Sequence, residues 1–153
     1  MSKPLQAIIV GAGHRAQTYA NYALSHPEQL QIVGVADPTP LRRQQTAAQF
    51  NLRPEQCYES AEALAALPQC ADFITNGTMD HQHVPTAIPL LERGYHMLLE
   101  KPFATSESEL PIFLDRETGQ DRDPDTHRKY VQLHRRKRRT WAERITEKEE
   151  VTP

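Results

Sequence analysis

Residues 5–16 read Leu5-Gln6-Ala7-Ile8-Ile9-Val10-Gly11-Ala12-Gly13-His14-Arg15-Ala16, an apolar run that passes directly into a glycine-rich turn. The run predicts a buried strand, and the residues from Ala16 to Ser25 behind the turn predict a helix. A strand ending in Gly11-Ala12-Gly13 can turn tightly at Gly11 and bring bare backbone at Gly13 against a ligand. A helix that starts just behind such a turn receives an anion on its N-terminus, so the arrangement points to a dinucleotide pyrophosphate. Ala16 takes the third place of the G-x-G-x-x-G pattern, where a small side chain suffices for close packing of helix on strand.

A glycine turn by itself is equally an ordinary tight turn, so the second strand matters. Gln31-Ile32-Val33-Gly34-Val35-Ala36-Asp37 is apolar and ends in an acid 24 residues past Gly13. That is close to the offset of roughly 20 residues at which a carboxylate meets the ribose hydroxyls of a bound dinucleotide. A carboxylate there repels a 2′-phosphate, which makes NAD the first choice of cofactor. Arg42 and Arg43 keep NADP open, because a nearby arginine can accommodate the extra phosphate. The cofactor-binding candidates from this half are therefore Gly11, Ala12, Gly13, His14, Arg15, Ala16, Asp37 and Arg42.

The first 114 residues alternate short apolar runs with amphipathic stretches. Helices are expected at Ala16–Ser25, Pro40–Phe50, Ser60–Leu67 and Val84–Arg93. Between them fall a short edge strand at Gln56–Tyr58, a central strand at Ala71–Asn76 and a further strand at Tyr95–Leu99. Ser60 suits a helix N-cap, Pro68 a helix stop, and Gly94 a close to the helix that ends at Arg93. The order βαβαβαβαβ predicts an α/β fold, a doubly wound parallel Rossmann sheet with ligands at the carboxyl ends of its strands. That edge gathers Gly11 to Arg15, Asp37, Asn76 to His83, and Glu100 to Pro102.

Composition sets the outer bounds. With 153 residues the chain has room for one domain with a sizeable core, where a two-domain dehydrogenase needs about twice the length. Cys57 and Cys70 lack metal-site or disulfide-framework spacing and suit a reducing compartment. The N-terminus carries no apolar signal core and no run reaches the length of a membrane span, so a cytoplasmic location without a membrane partner is expected. His81 and His83 form an H-x-H pair without the further ligands a zinc site needs, so no metal is expected.

The net charge of −2 hides a split. Residues 1–114 carry 7 basic and 11 acidic side chains, and residues 115–153 carry 11 and 9. The tail has too few apolar residues to offset its ordering entropy. A boundary near Leu114 is expected, with a Rossmann domain at 1–114 and a charged tail at 115–153 that is poorly ordered or at most helical.

The stretch Asp72-Phe73-Ile74-Thr75-Asn76-Gly77-Thr78-Met79-Asp80-His81-Gln82-His83, followed by Leu99-Glu100-Lys101-Pro102, resembles the glucose-fructose oxidoreductase / inositol dehydrogenase / MocA family from about Leu5 to Leu110. The resemblance implies a first domain that binds NAD or NADP. Thr78, Met79, His81 and His83 would then line the cofactor crevice, with Glu100 and Lys101 beside it. Lys101 matches the family's lysine near the nicotinamide and sugar, with an implied catalytic role in substrate positioning and proton relay. An ammonium at a strand's carboxyl end can polarise a substrate hydroxyl, although a surface lysine paired with Glu100 would read the same. Asp80 replaces an asparagine often seen in the family.

The family's second domain, with its remaining substrate groups, has no counterpart here. Pro111 interrupts the helix begun at Ser106, and no apolar strand follows. The expected function is therefore that of an NAD(P)-binding domain of a sugar or polyol oxidoreductase, truncated before its substrate domain and weak or inactive alone. A sugar or polyol would be bound only if the missing domain were supplied. The alternative is a non-catalytic cofactor-sensing module that uses its basic tail for a partner or nucleic acid. The run His134-Arg135-Arg136-Lys137-Arg138-Arg139 could contact phosphates, but such charge blocks are usually solvated, so nucleic acid is not favoured.

Overall fold

The computed structural model describes residues 3–102 and 104–106, all within the first of the two units into which the chain divides, Met1–Arg116. The expectations for residues 115–153, the charged tail and its basic run, lie outside the described residues. Five strands form one sheet: β1 (Leu5–Val10), β2 (Leu30–Ala36), β3 (Cys57–Tyr58), β4 (Phe73–Asn76) and β5 (His96–Leu99). Their spatial order is β3-β2-β1-β4-β5, and every neighbouring pair is parallel. The chain reverses direction across the sheet at β1, so β1 and β4 flank the switch point where doubly wound sheets hold ligands.

Side chains of β1 alternate between two cores, as the two-residue period of a strand requires. Ile8 and Val10 pack with Ile74, Leu64, Leu90 and Tyr95 on one face. Ala7 and Ile9 pack with Ala16, Ala20, Ile32 and Val35 on the other. The helices on these faces are α1 (His14–Ala20), α2 (Tyr22–Ser25) and α3 (Pro40–Phe50), which bring Ala16, Ala20, Ala23 and Phe50 to the second core, and α4 (Ala61–Ala65) and α5 (His83–Glu92), which bring Leu64 and Leu90 to the first. Both faces of the sheet are thus covered, and the Rossmann-type α/β expectation holds.

Several boundaries follow from local chemistry. Ser60 Oγ accepts the Ala63 amide at 3.1 Å and starts α4. Gly94, at φ +93°, closes α5, with its amide on the Leu91 carbonyl and that of Tyr95 on the Leu90 carbonyl. Pro40 occupies the first turn of α3, where its missing amide hydrogen leaves no bond unmade.

Two helices differ from expectation. The helix expected at 16–25 begins two residues earlier, at His14, and divides at Asn21. There the Leu24 amide bonds the Asn21 carbonyl three residues back, a tighter spacing than an α-helix allows. The Asn21 side chain meanwhile accepts Gln49 Nε2 of α3 at 2.7 Å. In α4, the Leu67 amide likewise bonds the Leu64 carbonyl, so the regular helix stops at Ala65, ahead of Pro68. No described helix is long and apolar enough to cross a membrane.

Candidate functional site

The glycine turn leaves β1 through Gly11, whose φ of +75° is the left-handed conformation that favours glycine. A β-carbon at Gly11 would stand 2.7 Å from Thr78, so this turn and the loop after β4 are pressed together. At Gly77 a β-carbon would lie 2.8 Å from the Ala16 methyl. Ala16 is fully buried, and the small residue asked for at that position is demanded by Gly77 as well as by the strand. Gly13 is different: a β-carbon there meets nothing nearer than the Gly77 carbonyl at 3.9 Å. Gly13 is the N-cap of α1, and no side chain caps that helix. Among the described residues, the Gly77 carbonyl is the only atom outside Gly13's chain neighbours within 4 Å of such a β-carbon.

Asp37 follows β2 and is almost wholly buried, at 1% exposure. Its Oδ2 accepts the Ala12 amide at 2.8 Å and its Oδ1 accepts the Thr39 amide at 2.8 Å. Arg42, with its side chain 55% exposed, brings Nη1 to 3.8 Å from Oδ2. Arg43 donates instead to the Asp37 main-chain carbonyl at 2.6 Å. The acid thus sits between the turn of β1 and two arginines of α3.

Asn76 ends β4 and organises the next loop. Its Oδ1 accepts the Thr78 amide at 3.2 Å and the Thr78 hydroxyl at 2.8 Å, and its Nδ2 donates to Thr86 Oγ1 at 2.9 Å. The loop then runs through Met79, which is 67% exposed, and exposed His81. His83 opens α5, one residue ahead of the expected Val84, and its ring is buried. Nδ1 lies 2.6 Å from the Pro102 carbonyl and Nε2 lies 3.1 Å from the Thr78 carbonyl. Among the described residues no three His, Cys, Asp or Glu side chains gather to hold a metal ion.

Beyond β5, the Glu100 amide bonds the Asn76 carbonyl at 3.1 Å and extends the ladder by one residue. Glu100 Oε1 accepts the Tyr19 hydroxyl of α1, and Lys101 is exposed at the same edge. The structure therefore links the Gly11 turn, Asp37, Thr78, His83 and Glu100 through direct contacts at one end of the sheet. His14, Arg15, Arg42, Met79, His81 and Lys101 stand exposed around them. Tyr19 belongs to this assembly although the sequence did not single it out, and Asn76 and Gly77, placed by the sequence only on the ligand edge, prove to be its organising contacts. The signal at Tyr19 was a tyrosine inside a helix, which reads as ordinary structure. A separate open groove between α4 and α5, lined by Glu62, Ala65, Ala66, Pro89, Glu92 and Arg93, involves the other ends of these helices.

A family model described as an oxidoreductase family with an NAD-binding Rossmann fold matches residues 5–121. The chain belongs to this Gfo/Idh/MocA family. The match spans the glycine turn, Asp37 and Glu100-Lys101-Pro102. Among solved structures of similar fold, the WlbA dehydrogenase of Bordetella pertussis, in complex with NADH and UDP-GlcNAcA, shares 22% identity at a TM-score of 0.68. That likeness covers 76% of this chain and 35% of the other. An oxidoreductase of Agrobacterium radiobacter, in complex with NAD+, L-tartaric acid and magnesium, shares 23% identity at a TM-score of 0.68, over 78% and 34% of the two chains. An NAD-binding protein of Listeria innocua shares 31% identity at a TM-score of 0.62, over 76% and 33%. This Gfo/Idh/MocA chain thus spans about a third of the length of those structures. No curated protein sequence matches it.

Proposed function

We propose that this chain binds NAD, with NADP as a possible second cofactor, at the carboxyl edge of its sheet. In this reading it serves as the cofactor half of a sugar or polyol oxidoreductase. The observation that carries the reading is the bare face of Gly13. The turn is packed against Thr78 and Gly77 on one side, yet a β-carbon at Gly13 would meet only the Gly77 carbonyl at 3.9 Å, which supports close approach of a pyrophosphate to that backbone. The residues also suit the ribose: each Asp37 oxygen accepts one amide, which leaves further acceptor capacity on the carboxylate. Arg42 stands next to that carboxylate and would move aside for a ribose or pair with a 2′-phosphate.

Bound nicotinamide supplies the hydride acceptor for a carbinol carbon. Lys101 would donate a hydrogen bond to the substrate oxygen and so position and polarise the hydroxyl, whose proton passes to solvent as the hydride leaves. The exposed Lys101 edge has no described substrate domain facing it, so turnover is proposed to need groups beyond the described residues. Titration calorimetry of the whole chain with NADH and NADPH tests the reading, and binding of neither removes it. Oxidation of any polyol by the isolated chain would show instead that the present residues suffice for turnover.

A further inference from the structure

We propose that Tyr19 and His83 are positioning residues that clamp Lys101 from both sides. The inference rests on the reading above, in which Lys101 meets substrate beside the nicotinamide. Lys101 is exposed, and among the described residues its ammonium makes no ion pair. Its two neighbours in the chain are held firmly. Ahead of it, Glu100 is tied to Asn76 through its amide, to Tyr19 through Oε1 and to the Lys101 amide through Oε2 at 3.3 Å. Behind it, the Pro102 carbonyl is held by His83 Nδ1 at 2.6 Å.

The origins of the two side chains give the arrangement its meaning. Tyr19 lies on α1, directly behind the glycine turn, and His83 is the first residue of α5, directly behind the Thr78 loop. Each element that frames the crevice therefore sends one side chain to the segment bearing Lys101. The other ring nitrogen, Nε2, faces the Thr78 carbonyl, so the imidazole lies between the cofactor loop and the lysine segment. Both acceptors are carbonyls and a neutral imidazole carries one N–H, so it donates to one of them, the shorter contact being Nδ1 to the Pro102 carbonyl. Neither residue needs to touch cofactor or substrate. Their contribution is geometric: an ammonium that positions a substrate hydroxyl must stay within hydrogen-bond reach of it, and small displacements there are costly.

The test uses the full chain with Tyr19→Phe, which removes one hydroxyl, and His83→Gln, which keeps an N–H donor but loses the rigid ring that sets it against the Pro102 carbonyl. Hydrogen exchange without cofactor should show the Glu100 and Lys101 amides exchanging about tenfold faster in each variant, while the Ile8 to Val10 amides keep their protection. Unchanged exchange at Glu100 and Lys101 overturns the clamp, as does an equal rise throughout β1. In calorimetry each variant should weaken NADH about threefold more than ADP-ribose, which lacks the nicotinamide. Equal weakening of the two ligands also overturns it. A wild-type chain that binds neither ligand refutes the cofactor reading, whereas the exchange result still decides the clamp. Tyr19→Phe alters a partly exposed hydroxyl and keeps the ring, so it tests the clamp even where His83→Gln does not fold.

Discussion

Asp37 Oδ2 accepts the Ala12 amide at 2.8 Å, so the acid that ends β2 holds the glycine turn that ends β1. The same carboxylate is the candidate ribose acceptor, and its two roles can be separated by experiment.

Replacing Asp37 by Ala leaves the buried Ala12 amide without its acceptor. The variant should lose about 1–3 kcal/mol of stability, the cost of an orphaned buried donor. Denaturant unfolding with an unchanged m-value would measure it. Calorimetry should also show the NAD to NADP preference moving toward NADP, because a ribose acceptor and a charge opposed to the 2′-phosphate are both removed. A ratio of dissociation constants that stays put would leave Asp37 with the structural role alone.

Gly13→Val should fold like the parent, since the nearest atom to a β-carbon there is the Gly77 carbonyl at 3.9 Å. Any effect then falls on the ligand. NADH binding should disappear while the thermal midpoint moves by only about 2–4 °C, and retained affinity would refute the pyrophosphate site.

Gly77→Ala should behave in the opposite way. Its methyl would sit 2.8 Å from that of Ala16, and overpacking of this kind costs about 1–3 kcal/mol. Adding Ala16→Gly should recover most of the loss, offset by the helix penalty of glycine, about 0.5–1 kcal/mol. A double-mutant cycle with no coupling between the two positions would contradict the packing.

Alkaline pH should expose the Tyr58, Cys70 and Tyr95 cluster. The Cys70 sulfur lies 3.9 Å from the Tyr58 hydroxyl and 3.5 Å from that of Tyr95. Burial, then the hydrogen bond with Cys70, pushes both tyrosines up to about 12 from the ordinary 10. The unfolded chain therefore gives up these protons first. The stability they contribute is intact below pH 10 and declines between pH 10 and 12. Tyrosinate absorbance should show two late-titrating groups, and Tyr95→Phe should flatten the fall in thermal midpoint over that interval.

Much of this was legible in the sequence because each strand is a compact apolar run closed by glycine, proline or a polar cap. Pro40 to Phe50 is helical as read, since its first proline and left-handed Asn51 act within the segment itself. The division at Asn21 was not legible, because it coincides with a contact to Gln49, 28 residues away. The same holds at the site. Gly11 and Asp37 carry a spacing that can be recognised, whereas Tyr19 and Glu100 meet across 81 residues and no local pattern joins them. His83 was legible only as a residue of the crevice loop, while the two carbonyls facing its ring were visible only once the chain had folded.

The strand order β3-β2-β1-β4-β5 makes the first strand synthesised the middle one. While the chain emerges from a ribosome, β1 can pair with β2 after some thirty residues, but its other edge waits for β4, whose Phe73 pairs with Ala7. Until then the Ile8 and Val10 face has no Ile74, Leu90 or Tyr95 to cover it. From the pairing of β1 with β2 until Phe73 is made, the newborn half-sheet therefore carries an open edge and an apolar face still lacking those three side chains, an interval in which chaperone contact matters most.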